Sequence, residues 1–220
     1  MSPSHRRSRT GGGAERCWAL VPIKARARCK SRLWTLPADR RRQVVEGMLA
    51  HVLDTLADSG VFERIAVVTP EPGSVAPDLE VVTDPGGGLN AALAAGRSHA
   101  RRAGARELVV LPADLPLLSG DDVIALLTRG RDAGFALAPD AHGTGTNGLY
   151  LRASLPFRFQ FGHDSRRRHL AQATRLGLSP VEFESPGFAL DVDRPADLSW
   201  LHRRPVVARP SPGLWCEALP

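Results

Sequence analysis

Three aspartates stand where a carboxylate is expensive. Asp114 follows the apolar run ELVVL (Glu107 to Leu111), inside LPADLPLL, and Asp191 and Asp193 flank Val192 in ALDVDRPADL (Ala189 to Leu198). A short run of Val and Leu suits a strand covered on both faces. An ionised carboxylate there is costly unless it sits at the strand end and meets a cation. If ALDV continues as a strand, Asp191 and Asp193 point the same way, and two like charges side by side require a positive ion. A few carboxylates with room for water and phosphate oxygens is how magnesium is held. DRPADL reads equally well as a turn and helix cap, with Asp197 an ordinary residue of the last helix.

Other segments carry complementary chemistry. VPIKARARCKSRL places Lys24, Arg26, Arg28, Lys30 and Arg32 directly after a short apolar run. Phosphate oxygens would neutralise such crowding through charge-assisted hydrogen bonds; so would water around a solvated loop. The Gly-x-x-x-x-Gly-Lys pattern of a P-loop is absent. In DPGGGLNAAL, three glycines before a helix let backbone N–H groups approach an anion or a polar ring edge. Asn90 can both donate and accept, as a nucleobase edge requires, although a plain turn and N-cap fits too. Thr144, Thr146 and Asn147 are small polar residues ahead of an apolar run. Ser165 stands at a helix start suited to phosphate or carboxylate. His169 follows four residues later on the same face, where packing on the core is the plainer reading.

These residues need elements to hold them. Short apolar runs predict strands at WALVP, RIAVVT (Arg64 to Thr69), LEVVT (Leu79 to Thr83), ELVVL, FALAP, GLYLR, VEFE and FALDV. Helical spacing of Val44, Val45, Met48, Leu49, Val52, Leu53 and Leu56 predicts a helix from Pro37 to Ala57, ended by Gly60. Further helices are expected over Asn90 to Ala103, from Ser119 through Leu127, over Ser165 to Leu176, and from Pro195. Ser119 and Asp122 form a capping-box pattern with Asp in place of Glu. Strands alternating with helices mean α/β with a mostly parallel sheet, and ligands then gather beyond the carboxyl ends of the strands. VPIK, PGGG, PADLP and DVD all fall at such ends.

The chain has 220 residues, 43% hydrophobic, and a net charge of +6. One domain is the expectation, spanning 17–202, with a disordered basic tail over 1–16 and an irregular extension over 203–220. No apolar run is long enough to span a bilayer, and MSPSHRRSRTGGGAER lacks the apolar stretch of a signal peptide. Cys17, Cys29 and Cys216 are far apart, odd in number and without metal-ligand spacing, so a reducing cytoplasm is expected. The positive charge fits anionic ligands or simply solvated faces. The basic runs lack interleaved aromatics, which argues against nucleic acid. No residue pattern sets the oligomeric state.

Taken in order, VPIK and KSRL, the Gly-rich turn with LNAAL, ADLP, APD followed by Gly-Thr-Asn, FG-x-x-S-x-x-x-H and DVD-x-P-x-DL resemble one family over most of Trp18 to Leu198. It is the guanylyltransferases that activate a three-carbon phosphoacid for coenzyme F(420). The resemblance implies a single Rossmann-like nucleotidyltransferase domain of the glycosyltransferase-A type, using GTP and Mg2+. It implies transfer of GMP to the phosphate of the acid with release of pyrophosphate, with a downstream biosynthetic enzyme as the protein partner. By position, Asp114, Asp191 and Asp193 match its metal carboxylates, Lys24 and Lys30 its phosphate-binding lysines, and Thr146, Gly162 and Ser165 its acid-binding region. Gly87, Gly88 and Asn90 fall where the guanine edge is met. A phosphate oxygen is already an anionic nucleophile, so no protein base is needed, in keeping with the lack of a Ser-His-Asp or Cys-His set.

The acids known to the family are phosphoenolpyruvate, 2-phospho-L-lactate and 3-phosphoglycerate. The Arg- and Ala-rich composition suggests a high-GC, actinobacterial-like source, for which the resemblance favours phosphoenolpyruvate. Two rival readings are a molybdenum-cofactor guanylyltransferase, whose Gly-rich first loop is missing, and a basic nucleotide- or nucleic-acid-binding module, which would not need the carboxylates. The chain departs from the family at Asp164, where Gly is usual, and at Asp193–Leu198, where Arg194 and Ala196 replace Thr and Glu. Asp164 is expected to cap the helix and face away, leaving Ser165 and the backbone N–H groups for the acid.

Overall fold

Burial on both faces accounts for the unbroken Val and Leu runs. The computed structural model describes residues 16–23, 35–75 and 79–202. In chain order these form β1 (Cys17–Pro22), α1 (Ala38–Asp58), β2 (Arg64–Thr69), β3 (Glu80–Thr83), α2 (Leu89–Arg102), β4 (Glu107–Val110), α3 (Gly120–Ala133), β5 (Phe135–Pro139), β6 (Thr146–Arg152), α4 (Ser165–Arg175), β7 (Val181–Glu182), α5 (Pro186–Ala189) and α6 (Pro195–His202). Trp18 and Leu20 of β1, with Leu108 and Val110 of β4, enter one apolar cluster, joined by Leu93 of α2 and Ala173 of α4. Their neighbours Ala19, Val21 and Val109 enter a second cluster on the opposite face, with Val52 and Leu56 of α1 and Leu126 of α3. The sheet is thus sandwiched between two helical layers, as its strand composition requires.

The seven strands run in the order β3-β2-β1-β4-β6-β5-β7. β3, β2, β1 and β4 are mutually parallel, β5 and β7 are parallel to each other, and β6 alone is reversed between β4 and β5. Only residues 140–145 join β5 to β6, too few for a crossover, so the chain must turn back. This reversal puts the start of β6 at the sheet edge where the parallel strands end. Thr146 and Asn147 therefore join the same crevice as the segment after β4.

Several expected elements take a different form. FALDV is not a strand. Ser185 accepts from Phe188 N–H at 3.2 Å and starts the short helix α5. Gly187 packs so closely that a Cβ there would stand 2.1 Å from Asp122 Oδ2. VEFE keeps two strand residues, and β4 stops at Val110. α3 continues past Leu127 to Ala133 and closes on Gly134 in the left-handed region. Its start is the expected reciprocal cap, with Ser119 and Asp122 bonded both ways. Among the described residues, no helix is long and apolar enough to cross a membrane.

Candidate active site

Each aspartate is delivered by a backbone contact. After β4, Leu111 N–H bonds to Leu20 O at 3.2 Å, and three residues on Asp114 O accepts Val192 N–H at 3.2 Å. Val192 is fully buried against Val44, Met48 and Leu198. With Val192 turned inward, its two neighbours bring their carboxylates together on the other side, as a strand would, although the segment is not a strand. One carboxylate oxygen from each of Asp114, Asp191 and Asp193 lies within 4.8 Å of the other two. Asp197 is more than a passing helix residue. Its Oδ2 accepts Asp193 N–H at 2.9 Å and Arg194 N–H at 2.7 Å, which fixes the backbone of Asp193 and caps the start of α6.

The triad is charged at a cost. Burial raises the pKa of Asp191 above the usual carboxylate value, and the neighbouring Asp114 adds to this; the hydrogen bond from Asn147 opposes it, and Asp193 raises it further. Asn147 donates from Nδ2 to Asp191 Oδ1 at 3.1 Å and to Phe188 O at 2.8 Å. A divalent cation would relieve the repulsion among these three groups, so the residues present fit a magnesium site. An open cavity of about 1050 Å³ lies beside Asp191 and Asp193, bordered by His142 and Glu184.

The other half of the crevice is neutral and polar. Thr146 and Asn147 are adjacent in β6 and point to opposite faces, so one strand start serves both halves. Asp140 Oδ1 accepts Thr144 N–H at 2.8 Å and Gly145 N–H at 2.9 Å, shaping the turn that presents them. Ser165 Oγ lies 3.2 Å from Thr146 Oγ1, and His169 Nδ1 lies 3.1 Å from the same Thr146 oxygen. All three are buried. Gly162 has φ 114°, and its carbonyl accepts Ser165 N–H at 3.1 Å. Asp164, at φ 57°, is in the left-handed region, which explains why Gly suits this position. Its side chain makes no capping bond; it turns outward to Arg167 Nε at 2.5 Å. The outward orientation is as expected, and the cap is not.

On the far side of the crevice, Gly86, Gly87 and Gly88 all have φ between 86° and 91°. Gly88 precedes α2. Asn90 spends much of its amide on the protein: Nδ2 donates to Phe161 O at 3.1 Å, and Oδ1 accepts Phe161 N–H at 2.8 Å. One N–H and one lone pair remain for any base edge. Lys24 and Lys30 lie outside the described residues. The sequence singles out Asn147 without its role and Asp197 only as a helix residue, and it does not show the clamp made by Asn90. The period of two through Thr146 and Asn147, and the four-residue spacing of Asp193 and Asp197, were the available signals.

A model of the family described as guanylyl transferase CofC-like matches residues 17–203. The phosphoenolpyruvate guanylyltransferase of Sphaerobacter thermophilus is 38% identical over 193 residues, covering 83% of this chain and 91% of that protein. The 3-phospho-D-glycerate guanylyltransferase of Phenylobacterium zucineum is 40% identical over 202 residues, covering 87% and 92%. Among solved structures, 4-diphosphocytidyl-2C-methyl-D-erythritol synthase from Anaerococcus prevotii matches with a TM-score of 0.60 at 11% identity, covering 87% of this chain and 100% of that one. A nucleotide-diphospho-sugar transferase candidate from Desulfovibrio desulfuricans reaches a TM-score of 0.71 at 17% identity, covering 85% and 86%. These structural likenesses speak to the nucleotidyltransferase-like fold.

Proposed function

The chain belongs to the CofC-like guanylyl transferase family, and from that premise we propose that it transfers GMP from GTP to the phosphate of phosphoenolpyruvate, releasing pyrophosphate, as an early step in coenzyme F(420) biosynthesis. The observation that carries this reading is the carboxylate triad, with one oxygen from each aspartate within 4.8 Å of the others, on the same strand edge as the Thr146–Ser165 hydroxyl pair. A phosphate oxygen of the acid attacks the α-phosphorus of GTP. An O–P bond forms, the bond to the β-phosphate oxygen breaks, and pyrophosphate leaves with the electron pair. Both reactants are anions, so the protein's task is positioning and charge stabilisation. Asp114, Asp191 and Asp193 would hold Mg2+, which supplies charge neutralisation at the α-phosphate and the departing pyrophosphate. Asn147 keeps Asp191 in place. Thr146, Gly162 and Ser165 receive the acid, Gly87 and Gly88 admit the nucleotide, and Lys24 and Lys30 meet its phosphates.

Phosphoenolpyruvate is favoured because several relatives bear that name, at 38% identity in Sphaerobacter thermophilus and Conexibacter woesei. The test is pyrophosphate release from GTP with phosphoenolpyruvate, 3-phosphoglycerate and 2-phospho-L-lactate in parallel, each with and without Mg2+. Release that is dependent on Mg2+ and greatest with phosphoenolpyruvate is expected. Preference for another of the three would reassign the acid, and no release with any of them would overturn the reading.

A further inference from the structure

His169 is the one fully buried histidine among the described residues, and both of its ring nitrogens are engaged. Gln160 N–H donates to Nε2 at 2.9 Å. A backbone N–H cannot reverse its polarity, so Nε2 must be the bare nitrogen. The neutral ring then carries its proton on Nδ1, which faces Thr146 Oγ1 at 3.1 Å. Burial, aided by the charge of Arg168, lowers the pKa of His169 to about 4, so the ring is neutral at pH 7. Phe157 and Phe161 pack on it, with ring centroids at 5.4 and 4.9 Å.

We propose that His169 is a positioning residue that turns the Thr146–Ser165 hydroxyl pair into a hydrogen-bond donor aimed at an anionic oxygen of the acid substrate. This rests on the guanylyl-transfer reading above. Since Nδ1–H donates to Thr146, that hydroxyl keeps its own proton. The two hydroxyls hold two protons, and their mutual contact at 3.2 Å uses one. The other is left to point out of the pair. The opposite tautomer would set N–H against N–H at Gln160 and draw the Thr146 proton toward Nδ1. Ser165 would then donate to Thr146, no proton would remain, and the pocket would present only lone pairs to an incoming carboxylate or phosphate. The polarity fixed at Gln160 thus runs through the ring to the ligand.

Two measurements test this on the full chain. The first is the tautomer of His169 without ligand at neutral pH, read by long-range nitrogen–proton correlation NMR. A proton on Nδ1 and a bare Nε2 are expected; an Nε2–H ring or an imidazolium overturns the proposal. The second compares His169→Asn, whose amide N–H can replace Nδ1–H, with His169→Leu, which cannot donate. For the loss of one donor in a buried chain, His169→Leu should raise the KM for the acid by about tenfold and leave that for GTP within about twofold. His169→Asn should recover most of the loss. Equal rises in both constants, or no advantage of Asn over Leu, would show a role in folding alone and overturn the proposal. If His169→Leu does not fold, the tautomer and the Asn variant decide. Absence of transfer to every acid would overturn the guanylyl-transfer reading, whereas the tautomer is settled without turnover.

Discussion

Asp191 is held in a state that disfavours its own charge. Its raised pKa comes from burial first and from Asp114 next. A carboxyl group whose folded pKa lies above its unfolded value withdraws stability as pH climbs through that folded value, and the loss is complete above it. The protein without metal therefore carries this burden whenever Asp191 is ionised. Asp191→Asn removes the charge while its amide oxygen still accepts from Asn147. The variant without metal should melt a few degrees higher, the order expected from about 1 kcal/mol in a domain of this size. Mg2+ should raise the melting temperature of the parent and leave that of the variant unchanged. A variant that melts lower, or that still responds to Mg2+, would remove Asp191 from the site. Asp164 tests the other half. Its left-handed backbone costs roughly 1 kcal/mol, and glycine there relieves the strain while loosening the unfolded chain by a comparable amount. Asp164→Gly should then leave melting nearly unchanged. Because the carboxylate points to Arg167, the KM for the acid should also stay within about twofold. A tenfold fall in that constant would mean that the carboxylate reaches the pocket.

At the scale of elements, α2 joins the two halves of the crevice. It begins at the glycine turn and clamps Phe161 through Asn90. Two turns further on, the Arg97 guanidinium donates to Phe157 O at 2.6 Å, to Ala153 O at 3.0 Å and to Leu155 O. Ala153, Leu155, Phe157 and Phe161 of the link from β6 to Gly162 are thus held by this helix, and Gln160 between them by His169 of α4. Asn90→Ala should raise the KM for the acid several-fold, on the scale of one or two hydrogen bonds of about 1 kcal/mol each. An effect on GTP alone would instead assign Asn90 to the base. Legibility in the sequence varied with the range of the interaction. The helix over Ala38–Asp58 was plain from its own apolar period, and the Ser119 cap from four residues. The clamp between Asn90 and Phe161 spans 71 positions and has no local signature. ALDVD showed which residues must face together; it did not show that Ser185 caps a short helix over Pro186–Ala189, with Gly187 packed on Asp122.

Across the whole molecule, the two ends of the sheet do different work. At the carboxyl ends stand the proposed metal carboxylates and the hydroxyl pair. At the amino ends, Glu107 is buried at the start of β4, where it accepts from Arg131 Nη2 at 2.7 Å and from Tyr150 O–H at 2.6 Å. Arg16 O accepts N–H groups of Arg106 and Glu107 beside it, so the folded backbone already includes Arg16, a residue that its basic surroundings place with the tail. The reciprocal pKa shifts agree on the cause: Glu107 raises that of Arg131, and burial, then the bond to Glu107, raises that of Tyr150. Nothing in ELVVL marks its first residue as a buried anion, because the partners lie 24 and 43 positions away. This separation predicts opposite outcomes for two substitutions. Arg131→Ala takes the charged donor from a buried carboxylate. Discounted for the partial exposure of Arg131, the cost should be about 2 kcal/mol, or roughly 5 °C, with both Michaelis constants unchanged. Asp114→Asn should do the reverse, abolishing turnover without lowering the melting temperature. Thermal melts and initial rates on the two variants together are the measurement. If Arg131→Ala shifts the KM for either substrate by tenfold, or Asp114→Asn keeps Mg2+-dependent turnover, the two ends are not independent and the assignment of chemistry to the carboxyl edge fails.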